Sequence, residues 1–396
     1  MLADRAVVAP NRRQYRPGMA VQEAAQAAVS VPFLDLAPVH SPLTRGLLRE
    51  IEDLFDVGAF TNGPAVARFE RAFADYCGVD HCVGLSSGLD ALRLALLVSG
   101  LEPGDEIVVP AVTFVATLEA VTQAGGVPVV ADVSARDYCL DPGAAAAAIG
   151  PRTRFLMPVH LYGQMADMQA LRRTAAARGV AIVEDACQAH GADRDGLRAG
   201  AGGAIAAFSF YPGKNLGAAG DAGALVTPDA AAAAHARALR EHGQTAKYIH
   251  ASEGWTARLD TIQALVLSHK LPHLDAWNDQ RRAAARFYDE MLRGVGDLVL
   301  PPVPDGSAPV WHLYVVRTAN PEDLVTFLRE RGIGTGRHYP HPVHLTGAYE
   351  KLGLRRGAFP VAEALTRECV SLPIYPGITE AQLAAVVDGV CAFFDG

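Results

Sequence analysis

The sequence predicts an α/β fold, with a parallel or mixed sheet covered by helices on both faces and a smaller α+β unit after it. Three observations carry this. Short apolar runs alternate with amphipathic stretches from about residue 80 to residue 227. Glycine, proline or aspartate bounds most of those runs. A PPVP segment at 301–304 then separates a second, shorter series of strand-like and helix-like segments. A chain of 396 residues is long enough for one large core and one smaller one.

CVGLS (82–86) reads as a buried strand, and it leads into LDALRLALLVSG (89–100), whose leucines recur at helical spacing until a glycine ends them. EIVVP (106–110) is a strand and TFVATLEAVTQAG (113–125) a helix. VPVVAD (127–132), FLMPVH (155–160) and AIVED (181–185) are further strands, with the amphipathic helix MQALRRTAAARG between the last two. AIAAFSF (204–210) and GALVT (223–227) complete the series. A periodic stretch from Leu259 to Leu292 reads as a bridge that Pro272 must end or kink. WHLYVVR (311–317) is a strand, PEDLVTFLRERG (321–332) a helix, and AQLAAVVDGVCAFF a terminal helix. The alanine runs at 144–148 and 230–234 read as helix filler. The expected division is a large domain over 31–270 and a bridging helix with a small domain over 271–396. Residues 1–30, with Arg5, Arg12, Arg13 and Arg16 but no apolar core of a signal peptide, read as a flexible extension.

Composition excludes several classes. A net charge of -8 argues against nucleic-acid or anionic-membrane partners, which need a basic face. No apolar run reaches the ~18 residues of a membrane span. The six cysteines show no CxxC pair, so neither a disulfide framework nor a metal site is expected. Reduced thiols in the cytoplasm are the simpler reading.

The chemistry centres on SFYPGKNLG (209–217). Lys214 follows an apolar strand inside a glycine- and proline-bearing turn. Taken singly, most lysines are exposed and do nothing specific. Here the turn puts the amine at the carboxyl edge of a sheet, where α/β ligand sites lie. A lysine partly desolvated there has a lowered pKa and can attack an aldehyde, as a Schiff-base lysine must. In VEDACQAHG (183–191), Asp185 ends another strand at the same edge. Pyridoxal phosphate (PLP) needs such a carboxylate against its ring nitrogen, because a protonated ring is the stronger electron sink. Alone, Asp185 would read as a helix cap; paired with Lys214 it reads as that carboxylate. In SSGLDAL (86–92) a strand gives way to Ser-Ser-Gly and a helix, a turn whose free N–H groups hold anions. Phe114 follows the next strand and is able to stack on a ring, though a core position is the commoner fate. GAAGDAG (217–223) is glycine-rich but lacks the spacing of a dinucleotide site.

Together VEDACQAHGA, SFYPGKNLG and SGLDALRLAL resemble the DegT/StrS-type sugar aminotransferases, PLP enzymes of the aspartate-aminotransferase fold. The likeness runs from about Val31 to the C-terminus and includes VPFLDL, PGDEIVVPAVTFVAT, PVHLYGQMADM, RLDTIQALVLSHKLPHLDAWN, WHLYVVR, GIGTGRHYPHPVHL and SLPIYP in the expected order. It implies PLP-dependent fold type I, with a mostly parallel seven-stranded sheet in the large domain. It also implies roles. Lys214 would form the Schiff base and shuttle the proton between the donor's α-carbon and the PLP C4′ carbon. Asp185 would pair with the ring nitrogen and Gln188 would approach the ring hydroxyl. Ser209, with Ser87 and the backbone at Gly88 and Leu89, would hold the phosphate, and Phe114 would stack on the ring. His338 and Tyr339 would line the sugar pocket; Arg337 beside them departs from the branch, which often has an apolar residue there, and reads either as a ligand for a donor carboxylate or substrate phosphate or as a solvated arginine.

Departures from the family pattern are local. Leu89 stands where the family often has threonine, Ala222 replaces a glycine, and Thr256 replaces an asparagine that in relatives reaches the neighbouring subunit's phosphate. The implied reaction is a two-step transamination from an amino acid, L-glutamate, to a nucleotide-linked keto-sugar of the 3-keto-6-deoxy branch, in a homodimer with shared active sites. A 4-keto sugar or a cyclitol ketone is the alternative acceptor. A sugar dehydratase would carry histidine in place of Lys214, and a non-catalytic PLP-binding regulator would not need the intact set.

Overall fold

The computed structural model describes residues 29–396, so all but the last two residues of the expected N-terminal extension lie outside the described residues. Seven strands form the main sheet: β1 His81–Leu85, β2 Glu106–Pro110, β3 Val127–Ala131, β4 Thr153–Leu156, β5 Ala181–Asp185, β6 Ile205–Ser209 and β7 Gly223–Thr227. They lie in the order β1-β7-β6-β5-β4-β2-β3. β7 runs antiparallel to both of its neighbours, and the other adjacent pairs are parallel. β6 and β7 are buried over almost their whole length, as strands covered on both faces must be. The helix Gly88–Val98 packs on β6 and β7 and buries Leu92, Leu94 and Leu96.

A second, separate apolar cluster joins Tyr288, Val316, Leu324, Leu328, Val386 and Val390. It lies between a two-stranded antiparallel sheet, β8 Tyr314–Arg317 with β9 Cys369–Leu372, and the helices Pro321–Glu330 and Glu380–Asp395. The last helix opens with a capping box between Thr379 and Gln382. Each fully buried Leu or Val in these cores contributes roughly 1.5–3 kcal/mol. The bridge breaks at Pro272: the helix Thr261–Lys270 ends, a 3₁₀ turn spans Leu271–His273, and the helix Leu274–Met291 follows. No helix among the described residues is long and apolar enough to cross a membrane.

Three elements are shorter than their sequence patterns predict. The helix expected over 113–125 spans Ala116–Gln123, because Thr113–Val115 still belong to the turn leaving β2. The strand expected over 155–160 stops at Leu156; Pro158 has no N–H for a ladder. The strand expected over 311–317 begins only at Tyr314, since Val310 and Leu313 donate their N–H groups to Gly163 and Tyr162 of the larger unit.

Candidate active site

β1, β5 and β6 end on the same edge of the sheet, and a cavity of about 600 Å³ opens beyond them. Its floor carries Lys214, Asp185, Gln188, Ser209, Ser87 and Gly88. Lys214 sits in the turn after β6, closed by Lys214 N–H donating to Tyr211 O at 2.8 Å and Ala218 N–H to Phe210 O at 2.7 Å. The turn is so tight that a Cβ on Gly217 would fall 2.2 Å from Pro212 O. Burial pushes the Lys214 ammonium below its ordinary value, while Cys187 and Asp185 act in the opposite sense.

Asp185 is 4% exposed. Its Oδ2 accepts from Thr117 Oγ1 at 2.7 Å, and Thr113 Oγ1 lies 2.7 Å from that hydroxyl. Its Oδ1 accepts from Cys187 N–H at 3.2 Å. Gln188 is held at both ends: Oε1 accepts from Tyr162 N–H at 2.7 Å and Nε2 donates to Tyr339 OH at 3.1 Å.

Ser87 caps the helix Gly88–Val98, its Oγ accepting from Asp90 N–H at 3.0 Å, which leaves the hydroxyl proton to donate elsewhere. The N–H groups of Gly88 and Leu89 are in the first helical turn and have no helical acceptor. Ser209 faces this turn closely: a Cβ on Gly88 would lie 2.6 Å from Ser209 Cβ. Gly223 permits the same approach from β7, where a Cβ would meet Ser87 C at 2.3 Å. Two hydroxyls and a helix N-terminus thus converge as an anion cradle.

The wall comes from the smaller unit and from the chain's start. His338 Nδ1 lies 2.8 Å from Ser371 Oγ, its ring stacks on Phe33 at 5.5 Å, and its backbone oxygen accepts from Tyr162 OH. Burial, then the charge of Lys214, lowers the His338 pKa to about 4, so its ring is neutral. Phe114 is 54% exposed at the mouth, with its ring centre 6.0 Å from that of Tyr339.

Two expected site residues lie elsewhere. Arg337 does not line the cavity. It pairs with Glu322 and donates to the carbonyls of Thr366 and Arg367 at 2.9 Å each. Gly336 pairs with Ser371 as an extended bridge, and successive side chains on extended backbone leave opposite sides. His338 therefore turns to the cavity and Arg337 away from it. Thr256 is exposed outside the cavity, 3.0 Å from His242 Nε2; within one chain it reaches no part of the cradle.

The structure adds residues that the sequence reading missed. Thr113 and Thr117 support Asp185, and their signal was the hydroxyl pair in TFVAT, which reads first as helix. His312 lines the cavity with its Nδ1 unpartnered, and buried His190 contacts Phe208 and Phe210. Burial, then Lys214, lowers the His190 pKa to about 3 and the His312 pKa well below its ordinary value. No pattern in the sequence marks either.

A desolvated amine, a buried carboxylate and an anion cradle around one cavity fit PLP: aldehyde, ring nitrogen and phosphate each find a partner. With the seven-stranded sheet, they define a PLP-dependent transferase of fold type I. The chain belongs to the DegT/DnrJ/EryC1/StrS aminotransferase family, which matches residues 43–391. It is 47% identical over 360 residues to dTDP-3-amino-3,4,6-trideoxy-alpha-D-glucose transaminase of Streptomyces venezuelae, covering 91% of this chain and 95% of that one. The solved structure of S. venezuelae DesV in complex with a ketimine intermediate is similar at a TM-score of 0.91 and 46% identity, over 93% of this chain and 99% of that chain. NtdA of Bacillus subtilis, solved with bound PMP, matches at 0.87 and 30% identity, over 95% of this chain and 87% of that one.

Proposed function

We propose that this aminotransferase moves the amino group of L-glutamate to the carbonyl carbon of a dTDP-linked 3-keto-6-deoxyhexose, as a cytoplasmic homodimer. The observation that carries the reading is the single cavity bearing Lys214, Asp185 and the Ser87–Ser209 cradle. PLP, when bound, supplies an electron sink for the charge left at the donor's α-carbon. Lys214 Nζ takes the proton from that carbon in the first half-reaction and delivers one to the sugar carbon in the second. Asp185 holds positive charge at the ring nitrogen, and Thr117 and Cys187 N–H fix its two oxygens. Ser87, Ser209 and the N–H groups of Gly88 and Leu89 hold the phosphate. Gln188 is kept in place for the ring hydroxyl by Tyr162 and Tyr339. Phe114 covers the ring, while His338 and Tyr339 line the sugar side and exclude water.

The cavity volume suits a cofactor with a sugar beside it. The named substrate of the S. venezuelae relative supports amination at the third carbon. Leu48, Phe55 and Val57 stand exposed on and beside one helix, with Tyr248 and Ile249 on a hairpin, and this supports burial against a second copy. Across that interface Thr256 would serve the partner's phosphate. The test is an assay of purified enzyme with glutamate and a panel of 3-keto and 4-keto dTDP-sugars. Turnover of 3-keto substrates is expected; turnover of 4-keto substrates alone would overturn the branch. Failure of any amino acid to convert the bound PLP to its amino form would favour a regulator instead.

A further inference from the structure

Among the described residues, Lys214 is the one lysine or arginine that lines the cavity. Glutamate brings an α-carboxylate to that space and the keto-sugar brings hydroxyls, and one place must receive both in turn. Of the polar groups on the sugar side, His338 Nδ1 lies 2.8 Å from Ser371 Oγ, and Tyr339 OH accepts from Gln188. His312 lines the same cavity, and its ring makes no hydrogen bond among the described residues. Nδ1 is shut inside the protein without a partner, which leaves Nε2 as the nitrogen the cavity reaches.

The segment carrying His312 is held at both ends and from behind. Val310 N–H donates to Gly163 O at 2.9 Å and Leu313 N–H to Tyr162 O at 3.3 Å. Asn215, next to Lys214 in its turn, donates from Nδ2 to Val310 O at 2.8 Å. Arg281, 3% exposed, donates to Trp311 O at 3.1 Å and Ile374 O at 2.8 Å. Gly163 gives the segment its room: a Cβ there would fall 2.7 Å from His312 N. Trp311 has a φ of 47°, the left-handed region that a bulky residue rarely enters. Backbone held in so costly a form, one residue before His312, points to a placed side chain.

We propose that His312 is a substrate-binding residue: its Nε2 side holds the oxygen on the carbon next to the reacting carbon in both half-reactions. In glutamate that oxygen belongs to the α-carboxylate, and in a keto-sugar to the hydroxyl beside the carbonyl. A fixed guanidinium would suit the first and stand unpaired against the second, which is costly. A neutral imidazole suits both. It carries one N–H and one lone pair, and the bond made by one nitrogen decides which of the two holds the proton. With Nδ1 unpartnered, no bond inside the protein fixes that choice. A carboxylate, which only accepts, selects the Nε2–H form, and a hydroxyl takes either form. Burial, then the charges of Lys214 and Arg281, hold the His312 pKa well below its ordinary value, so the ring is neutral. It therefore needs no counter-ion when the sugar takes the place of glutamate.

The inference rests on the aminotransferase reading, and its test separates the two. 2-Methylglutamate has no α-proton to lose, so it binds without reacting and reports its dissociation constant through the visible band of bound PLP. His312→Phe should weaken that binding about 10- to 100-fold, the scale of a hydrogen bond to a charged acceptor. The keto-sugar KM of the same variant should rise only about three- to tenfold, as for a neutral acceptor, with kcat little changed. His312→Gln offers an amide N–H and an amide oxygen at similar reach, so it should bring both values back to within about threefold of the original. PLP should resist dialysis equally in the unsubstituted enzyme and in both variants. Where His312→Phe does not fold, His312→Leu also removes both nitrogens and is read in the same way. A loss no larger for 2-methylglutamate than for the sugar, losses that His312→Gln does not repair, or no loss at all would overturn the role of His312. Failure of glutamate to bleach the PLP band of the unsubstituted enzyme would overturn the aminotransferase reading, and this inference with it.

Discussion

The floor and the wall of the cavity are built by different means. On the floor, Asp185 and Ser209 end β5 and β6, and Ser87 caps the helix that follows β1. Their places are set by the ladders of the main sheet, parallel at Asp185 and antiparallel at Ser209 and along β1, and their supports are hydroxyls and N–H groups beside that sheet edge. The wall joins Phe33, Leu313, His338 and Tyr339, distant in sequence and drawn from the chain's start and the smaller unit. Its place depends on contacts between units, such as Tyr162 OH donating to His338 O. Chemistry therefore sits on the rigid part, and substrate selection on the part that docks against it.

Changes to the floor should break catalysis and leave the wall's binding intact. Lys214→Ala should show the largest effect: kcat down about 10⁴-fold, from loss of the proton carrier, together with loss of the visible absorbance of PLP bound through the lysine. Retention of that band in the variant would sink the lysine assignment. Asp185→Asn should fall next, by about a hundredfold in kcat, the scale of removing one preorganised electrostatic partner. The keto-sugar KM should change little in Asp185→Asn, as measured by steady-state kinetics. A large KM effect there with kcat unchanged would move Asp185 from floor to wall.

The same division governs what the sequence makes legible. Strand ends carry strong local signals, an apolar run stopped by a polar residue and a glycine, so Asp185, Ser209 and the Ser87–Gly88 turn stand out before any coordinates exist. Thr117 and His312 do not, because their neighbours in space come from other strands. Arg337 shows the opposite failure. Its position beside His338 suggested a shared pocket, but extended backbone sends adjacent side chains apart. The late start of β8 also arises from tertiary pairing, which periodicity alone does not carry, whereas the early end of β4 follows from Pro158, which the sequence does show.

One buried and one half-buried neutral histidine, His190 and His338, predict a smaller, pH-dependent effect. Folding lowers the pKa of His190 to about 3 and of His338 to about 4, below the ordinary value of 6.5. Between those values the unfolded chain binds more protons than the folded one, so stability is fully present above 6.5 and falls as pH drops toward 4. Urea unfolding at pH 7 and pH 5 should show a loss on the order of 1–3 kcal/mol from this source. His190→Phe, in a pocket already lined by Phe208 and Phe210, should reduce the slope of that loss. An unchanged slope would mean that His190 does not carry it.

Arg337 offers the smallest effect and the sharpest division between wall and surroundings. Its guanidinium is tied to Glu322, whose side chain is 78% exposed, and to two carbonyls of the helix end at 366–367. An ion pair with so exposed a partner contributes about 0–1 kcal/mol, and the carbonyl bonds about 1 kcal/mol each. Arg337→Ala should therefore lower stability by roughly 1–2 kcal/mol in urea unfolding. It should leave the KM for glutamate and for the keto-sugar within about twofold, because no bond to either is lost. A KM rise of about tenfold for either substrate, with stability unchanged, would mean that the side chain leaves Glu322 and turns into the cavity when substrate binds, so that the wall reaches one residue further than its resting contacts.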